Sequence, residues 1–67
     1  MTDLERIEEA IKKGGREKGK GYDVFIYNTF GQIDLTLYKK VCVDYYSYEE
    51  IEFTFEFDIK GNLKEIN

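Results

Sequence analysis

The sequence lacks several residue types on which catalytic and structural sites usually depend. Its 67 residues include no His, no Pro and no Trp, and a single Cys, Cys42. Without His, no side chain titrates near neutral pH unless its environment shifts its pKa strongly. A lone thiol forms no intrachain disulfide and is typical of a reducing compartment. Since Ser47 is also the only Ser, the usual nucleophile–base pairs are excluded, and we expect a non-enzymatic protein without cofactor or metal.

Long apolar runs are lacking as well. The longest, Val24 to Tyr27, has four residues, whereas a membrane helix needs about 20. Polar residues follow Met1 at once, so we expect no signal peptide. With a net charge of −4, the sequence predicts an acidic, cytoplasmic protein with no membrane contact. The wealth of Ile, Lys, Tyr, Phe, Glu and Asn is typical of AT-rich coding sequences, such as short phage or mobile-element reading frames.

The first residues carry the signals of one helix. Thr2–Glu5 reads as a capping box, and Gly14 supplies a stop signal. Apolar residues recur between them at helical spacing, at Leu4, Ile7 and Ile11. We predict a helix over 3–13 and a basic, glycine-rich loop over 14–21.

From Tyr22 onward, apolar and polar residues alternate with a period of two, as in half-buried antiparallel strands. The predicted strands are 22–28, 32–44, 49–59 and 62–66. The fold class is therefore α+β, with one N-terminal helix packed on a four-stranded antiparallel β-meander (α-β-β-β-β), in a single small domain of residues 1–67. The alternation over 51–59 places Phe53, Phe55 and Phe57 in the core.

Two turns share one pattern, an Asx residue followed three positions later by Gly, at Asn28–Gly31 and Asp58–Gly61. With a three-residue loop, the second turn pairs Asp58 with Asn62. The same register sets Phe57 against Leu63 and Glu56 against Lys64. The register of the first hairpin stays open, so either Val24 and Ile26 or Phe25 and Tyr27 face the helix.

The stretch Gly14–Gly21, GGREKGKG, is one residue away from the phosphate-binding pattern G-x-x-x-x-G-K-[ST]. That motif follows a strand and opens a helix, whereas here a helix ends and a strand begins. Gly21 also replaces the hydroxyl residue that would bind Mg²⁺. We interpret the match as chance and the stretch as a mobile, solvated loop.

The loop nevertheless concentrates positive charge that can follow a phosphate backbone. The basic residues are Lys12, Lys13, Arg16, Lys18 and Lys20. A nucleic-acid-binding protein that uses this loop is therefore the alternative function. The net negative charge and the lack of a known binding module count against it.

Carboxylates alternate along the third predicted strand and form a candidate acidic stripe on one face: Glu50, Glu52, Glu56 and Asp58. Regular negative charge can meet a basic protein surface. The alternative is an ordinary polar strand face that keeps the protein in solution. Cys42 occupies a polar-phase position of its strand, where a half-exposed structural thiol is the default.

Aromatic residues give the strongest functional signal. The first strand is apolar on both faces, and one helix covers only one face of a sheet. Candidate interface residues are Phe25, Tyr27, Tyr38, Tyr45, Tyr46 and Tyr48. An aromatic patch with a charged rim is typical of interfaces, although ordinary surface Tyr is the alternative. We predict a small protein–protein interaction module, homodimeric and serving as an accessory or inhibitor protein.

Overall fold

The computed structural model describes residues 1–16 and 19–67. The elements are one helix, α1 (Asp3–Lys13), and the strands β1 (Tyr22–Thr29), β2 (Gln32–Val43), β3 (Tyr46–Asp58) and β4 (Leu63–Ile66). The strands form one antiparallel sheet in the order β1-β2-β3-β4, so each strand pairs with its neighbour in sequence. The predicted α+β class and the element order α-β-β-β-β are confirmed.

Helix α1 has the predicted bounds, and its capping box is formed. Thr2 Oγ1 accepts the Glu5 N–H at 3.2 Å, and Glu5 Oε1 accepts the Thr2 N–H at 3.3 Å. These hydrogen bonds from Thr2 backbone and side chain lower the pKa of Glu5 below its ordinary value. The apolar stripe faces the sheet, with Ile11 buried and Leu4 and Ile7 packed against the core.

The turn between β1 and β2 is a two-residue connection. Thr29 pairs with Gln32, and the intervening Phe30 and Gly31 have φ of 48° and 75°. Two positive φ angles define a type I′ turn, whose twist matches that of the flanking strands. The positive φ at Gly31 is as predicted, while β1 extends one residue beyond its predicted end.

This turn settles which side chains of β1 face the helix. Val24 pairs with Leu37 and packs against the core on the helix side. Because side chains alternate along a strand, Ile26 shares that side, and Phe25 and Tyr27 lie on the face away from α1. Ile26 is still 48% exposed, since the short helix does not reach it.

The pairing of β2 with β3 contains a bulge that the alternating sequence does not announce. Leu37 pairs with Phe53, whereas the next residue, Tyr38, pairs with Ile51. Glu52 is therefore an extra residue in β3, and the residues before it change faces. Ile51, which shares the alternation of the three phenylalanines in the sequence, therefore lies on the opposite face and is 62% exposed.

The turn between β3 and β4 matches its prediction in two of three pairs. Asp58 N–H donates to the Asn62 carbonyl at 2.9 Å, and Phe57 pairs with Leu63. The predicted pair of Glu56 with Lys64 is wrong, because a second bulge between Glu56 and Phe57 sets Glu56 against Glu65. The extra residue on this edge strand is Lys64.

The core lies between α1 and the middle of the sheet. Leu35, Leu37 and Phe57 are at most 1% exposed, and Phe55 is partly buried beside them. Phe53 does not belong to the core as predicted, because it lies beyond the cover of the helix and is 42% exposed.

The first turn of α1 is tied to the turn between β3 and β4. The Leu4 N–H donates to the Gly61 carbonyl at 3.0 Å, and the Leu63 N–H donates to Asp3 Oδ2 at 2.8 Å. Gly61 is buried with a φ of 88°, and a Cβ at this position would lie 3.0 Å from the Cβ of Thr2. The helix is therefore positioned by backbone contacts as well as by apolar packing.

Beyond the last pair of β1, Tyr22 with Lys39, the chain continues as a two-stranded ribbon (residues 40–49). The ribbon helps to explain why the molecule is elongated, with extents of 42 × 25 × 16 Å. Over residues 1–16 and 19–67, no helix has the length and apolar content needed to span a membrane.

Candidate interaction surfaces

Three aromatic residues of β1 and β2 form a patch on the sheet face away from α1. We call Phe25, Tyr27 and Tyr38 the aromatic patch. The ring of Phe25 meets that of Tyr38 edge to face, with centroids 5.4 Å apart, and lies nearly parallel to that of Tyr27 at 6.3 Å. Thr36, which pairs with Phe25, is 8% exposed although no described element covers this face. The patch is therefore a packed surface cluster of amphipathic and apolar rings.

The other three candidate interface residues lie elsewhere. Tyr46 and Tyr48 pair with Val43 and Val41 on the helix-side face of the ribbon, and their rings are 6.2 Å apart. Tyr45 is fully exposed in the turn at the ribbon tip. Five of the six predicted aromatic residues thus form two separate groups on opposite faces, with Tyr45 apart from both in the turn, and the sequence alone did not distinguish them.

The bulge at Glu52 also divides the candidate acidic stripe, whose four carboxylates do not share one face as predicted. Glu50 pairs with Lys39 on the helix-side face, and Glu52 Oε1 lies 3.4 Å from Arg16 Nη2 beside the helix. Glu56 and Asp58 lie on the opposite face. The two pairs of carboxylates therefore lie in different environments. On the helix-side face, the charge of Glu50 raises the pKa of Tyr48.

On the face away from the helix, Glu56 belongs to a row of carboxylates that crosses three strands. Asp34, Glu56 and Glu65 are paired in register. Desolvation raises the pKa of Glu56, the charge of Glu65 and a hydrogen bond with it raise the pKa further, and Asp34 adds to this, while Lys64 lowers it. Among the described residues, no group of three or more acidic, Cys or His side chains is arranged to hold a metal ion. The row is a concentration of negative charge beside the aromatic patch.

Asp58 has a structural role at the end of the same face. Its carboxylate accepts the N–H groups of Asn62 and Lys60, each at 2.9 Å. The backbone hydrogen bond from Asn62 is the largest cause that lowers the pKa of Asp58. The side chain closes the turn and is not available as a free surface charge.

The basic set of the alternative function is dispersed. Arg16 turns back to the sheet, where it contacts Glu52 and lies 5.7 Å from the ring centroid of Tyr22. Lys12 and Lys13 are exposed in the last turn of α1, and Lys20 is exposed before β1. Lys18 lies outside the described residues. The order of elements, helix before loop and strand after it, is the reverse of a phosphate-binding loop.

A groove of about 410 Å³ opens between α1 and the sheet, and sequence reasoning did not find it. Its lining is Ile7, Ala10, Ile11, Arg16, Leu37, Phe53 and Phe55. Arg16 Nε and Glu52 Oε2 are buried at its rim without a hydrogen-bond partner among the described residues. The groove exists because the helix covers only part of the phenylalanine row. The bulge that brings Glu52 to Arg16 left no signal in the alternating pattern.

Cys42 is exposed and free on the ribbon, paired with Ser47 in the sheet register. Its exposure agrees with the predicted polar-phase position.

Comparison with known proteins found no relative of this chain. No protein-family model, no curated protein and no solved structure matches the chain.

Proposed function

We propose that the chain is a non-enzymatic protein–protein interaction module that acts as a homodimer, with the aromatic patch as its docking surface. One observation carries the proposal. Phe25 and Tyr27 are 37% and 51% exposed on a sheet face that no described element covers. Aromatic side chains are enriched at interfaces, and a clustered patch with a charged rim is their usual setting. A second copy supplies the matching surface through a two-fold axis.

The biological setting that fits this proposal is a small accessory or inhibitor protein of the phage or mobile-element kind. The free, exposed thiol of Cys42 suits the reducing cytoplasm. The carboxylate row beside the patch offers a basic protein surface a complementary contact. Such a contact would orient the partner and raise the association rate, while the aromatic rings supply the affinity.

Sedimentation equilibrium at micromolar concentration tests the proposal. We expect the parent protein to be a dimer, and Tyr27→Lys to be a monomer, because an ammonium group replaces a ring in an apolar contact. Tyr45→Lys is the matched control, since Tyr45 is fully exposed at the ribbon tip, and it should leave the dimer intact. A monomeric parent would contradict self-association and assign the patch to a different partner protein.

Nucleic-acid binding by the basic loop remains the alternative. Its support is the exposed Lys12, Lys13 and Lys20, and its weakness is that Arg16 is engaged by Glu52 and Tyr22. A salt titration of any binding separates the two functions, because phosphate contacts weaken steeply with salt whereas an aromatic interface does not.

A further inference from the structure

Strand β1 is an edge of the sheet, and its backbone alternates between paired and outward-facing groups. The Lys40 N–H donates to the Gly21 carbonyl at 2.9 Å. In the register of β1 with β2, this bond makes 21, 23, 25, 27 and 29 the hydrogen-bonded positions. The N–H and C=O groups of 22, 24, 26 and 28 therefore point away from the sheet. They form a row of donors and acceptors along the edge.

The edge of β4 and the part of β3 beyond it have features that block pairing, whereas on β1 only the Val24 N–H is engaged by a side chain. Strand β4 is short and contains the bulge at Lys64. The part of β3 beyond β4 carries Glu49, Glu50 and the bulged Glu52. Charge, bulges and short length are the devices that block edge pairing. Strand β1 has eight residues in unbroken register with β2. Its one acidic residue, Asp23, accepts the Val24 N–H at 3.1 Å, so this one outward donor must give up its bond to Asp23 before it can pair with a second strand.

We infer that the partner is a second copy of this chain, joined by antiparallel pairing of the two β1 edges with Ile26 on the two-fold axis. This inference rests on the proposed function, because it names the partner and contact of the same surface. Ile26 of one copy faces Ile26 of the other, and Val24 faces Asn28. On the opposite face, Phe25 of each copy lies against Tyr27 of the other, at a non-hydrogen-bonded position where cross-strand side chains are closest.

Self-pairing fits the chemistry of this edge better than pairing with a foreign strand. The outward donors and acceptors repeat every second residue, so an inverted copy presents the complementary row. Each chain carries a net charge of −4, yet β1 has only one carboxylate, Asp23, whereas six of the 14 lie on β3 and β4, on the far side of the sheet from β1. Two copies therefore approach through the least charged edge. The contact joins two aromatic patches and covers both Ile26 side chains.

Amide hydrogen exchange followed by NMR, together with sedimentation, tests this contact. In the dimer the amides of Ile26 and Asn28 should exchange at least about tenfold more slowly than in the diluted, monomeric protein, because pairing removes them from water. Ile26→Lys should abolish the dimer and leave the fold intact by circular dichroism. The matched control is Ile51→Lys, whose parent side chain is 62% exposed and lies on β3, so it should remain dimeric.

The outcomes separate this inference from the proposed function. A parent dimer in which the Ile26 and Asn28 amides exchange rapidly at every concentration would overturn edge pairing and leave a face-to-face contact through the aromatic patch. A dimeric Ile26→Lys variant would overturn it equally. A parent that is monomeric throughout would overturn both self-association and the edge contact. The dilution series uses only the parent protein, so the result does not depend on whether a variant folds.

Discussion

Gly61 is constrained in two independent ways, by its backbone conformation and by a close neighbour. Its φ of 88° lies in the left-handed region, and the space where a Cβ would stand is occupied by Thr2, 3.0 Å away. Its carbonyl also accepts the Leu4 N–H that holds the first turn of the helix. The turn glycine visible in the sequence is thus also the point where the helix touches the sheet.

Substitution of Gly61 by Ala should destabilise the protein more than the same change at Gly31. Both glycines have positive φ, which costs a residue with a Cβ about 1–2 kcal/mol. A Cβ at Gly31 meets nothing within 4 Å, whereas at Gly61 it meets Thr2. Urea denaturation measures the loss in free energy of unfolding for Gly61→Ala and Gly31→Ala. The difference between the two losses is the cost of the contact between the new Cβ and Thr2. Equal losses for the two variants would show that Thr2 moves aside without cost.

Glu56 should make the fold less stable as the pH rises. Its pKa is raised above the ordinary value of 4.5 in the folded protein, so the folded state holds the proton more tightly than the unfolded chain does. Stability is therefore lost as the pH rises from about 4.5 through the folded pKa. Glu56→Gln should raise the melting temperature relative to the parent at pH 7, and this gain should shrink towards pH 4.

Asp58→Asn should have the opposite effect on stability from Glu56→Gln. Because the pKa of Asp58 is lowered, its contribution is present above the ordinary value of 3.8 and is lost as the pH falls through the folded pKa. The Asn variant should therefore be less stable than the parent at pH 7. Melting curves that show the same pH trend for both variants would contradict the assigned environments.

At the scale of elements, the sequence predicted those features that residues close together in the chain determine. The capping box and apolar spacing defined α1 to the residue, and alternation located all four strands. The two bulges were missed, since the alternation around Glu52 continues without interruption and says nothing of an extra residue. Its position depends on packing between β2 and β3 and on the contact of Glu52 with Arg16, which are long-range.

Phe57 and Phe53 provide a graded test of the core. Phe57 is fully buried, whereas Phe53, on the same strand, is 42% exposed. Phe57→Ala should lower the free energy of unfolding by about 3–5 kcal/mol, the range for a large core side chain, which is enough to unfold a domain of this size. Phe53→Ala should lose less than half as much. Thermal unfolding followed by circular dichroism measures both, and a greater loss for Phe53 would contradict the placement of the helix.

At the scale of the whole molecule, composition predicted a sheet with one face left open, and the structure shows which face and which residues. The sequence did not predict that the bulge would place Tyr46 and Tyr48 on the opposite face from Phe25. Nor could it reveal the groove beside Arg16, which arises from the length of the helix relative to the sheet. The sequence therefore identified aromatic residues that are exposed, but not which of them share a face, because that depends on the register between strands.

The contacts between the first turn of α1 and the turn at Gly61 have a consequence for the order of folding. Every strand pairs with its neighbour in sequence, so the sheet can grow by closing short loops one after another. The bond from Leu4 to Gly61 instead closes a loop of nearly the whole chain, and that entropy is lost before any contact repays it. An isolated helix of 11 residues is also marginal in water. We therefore expect the helix to be the last element to form, although it is the first in the chain.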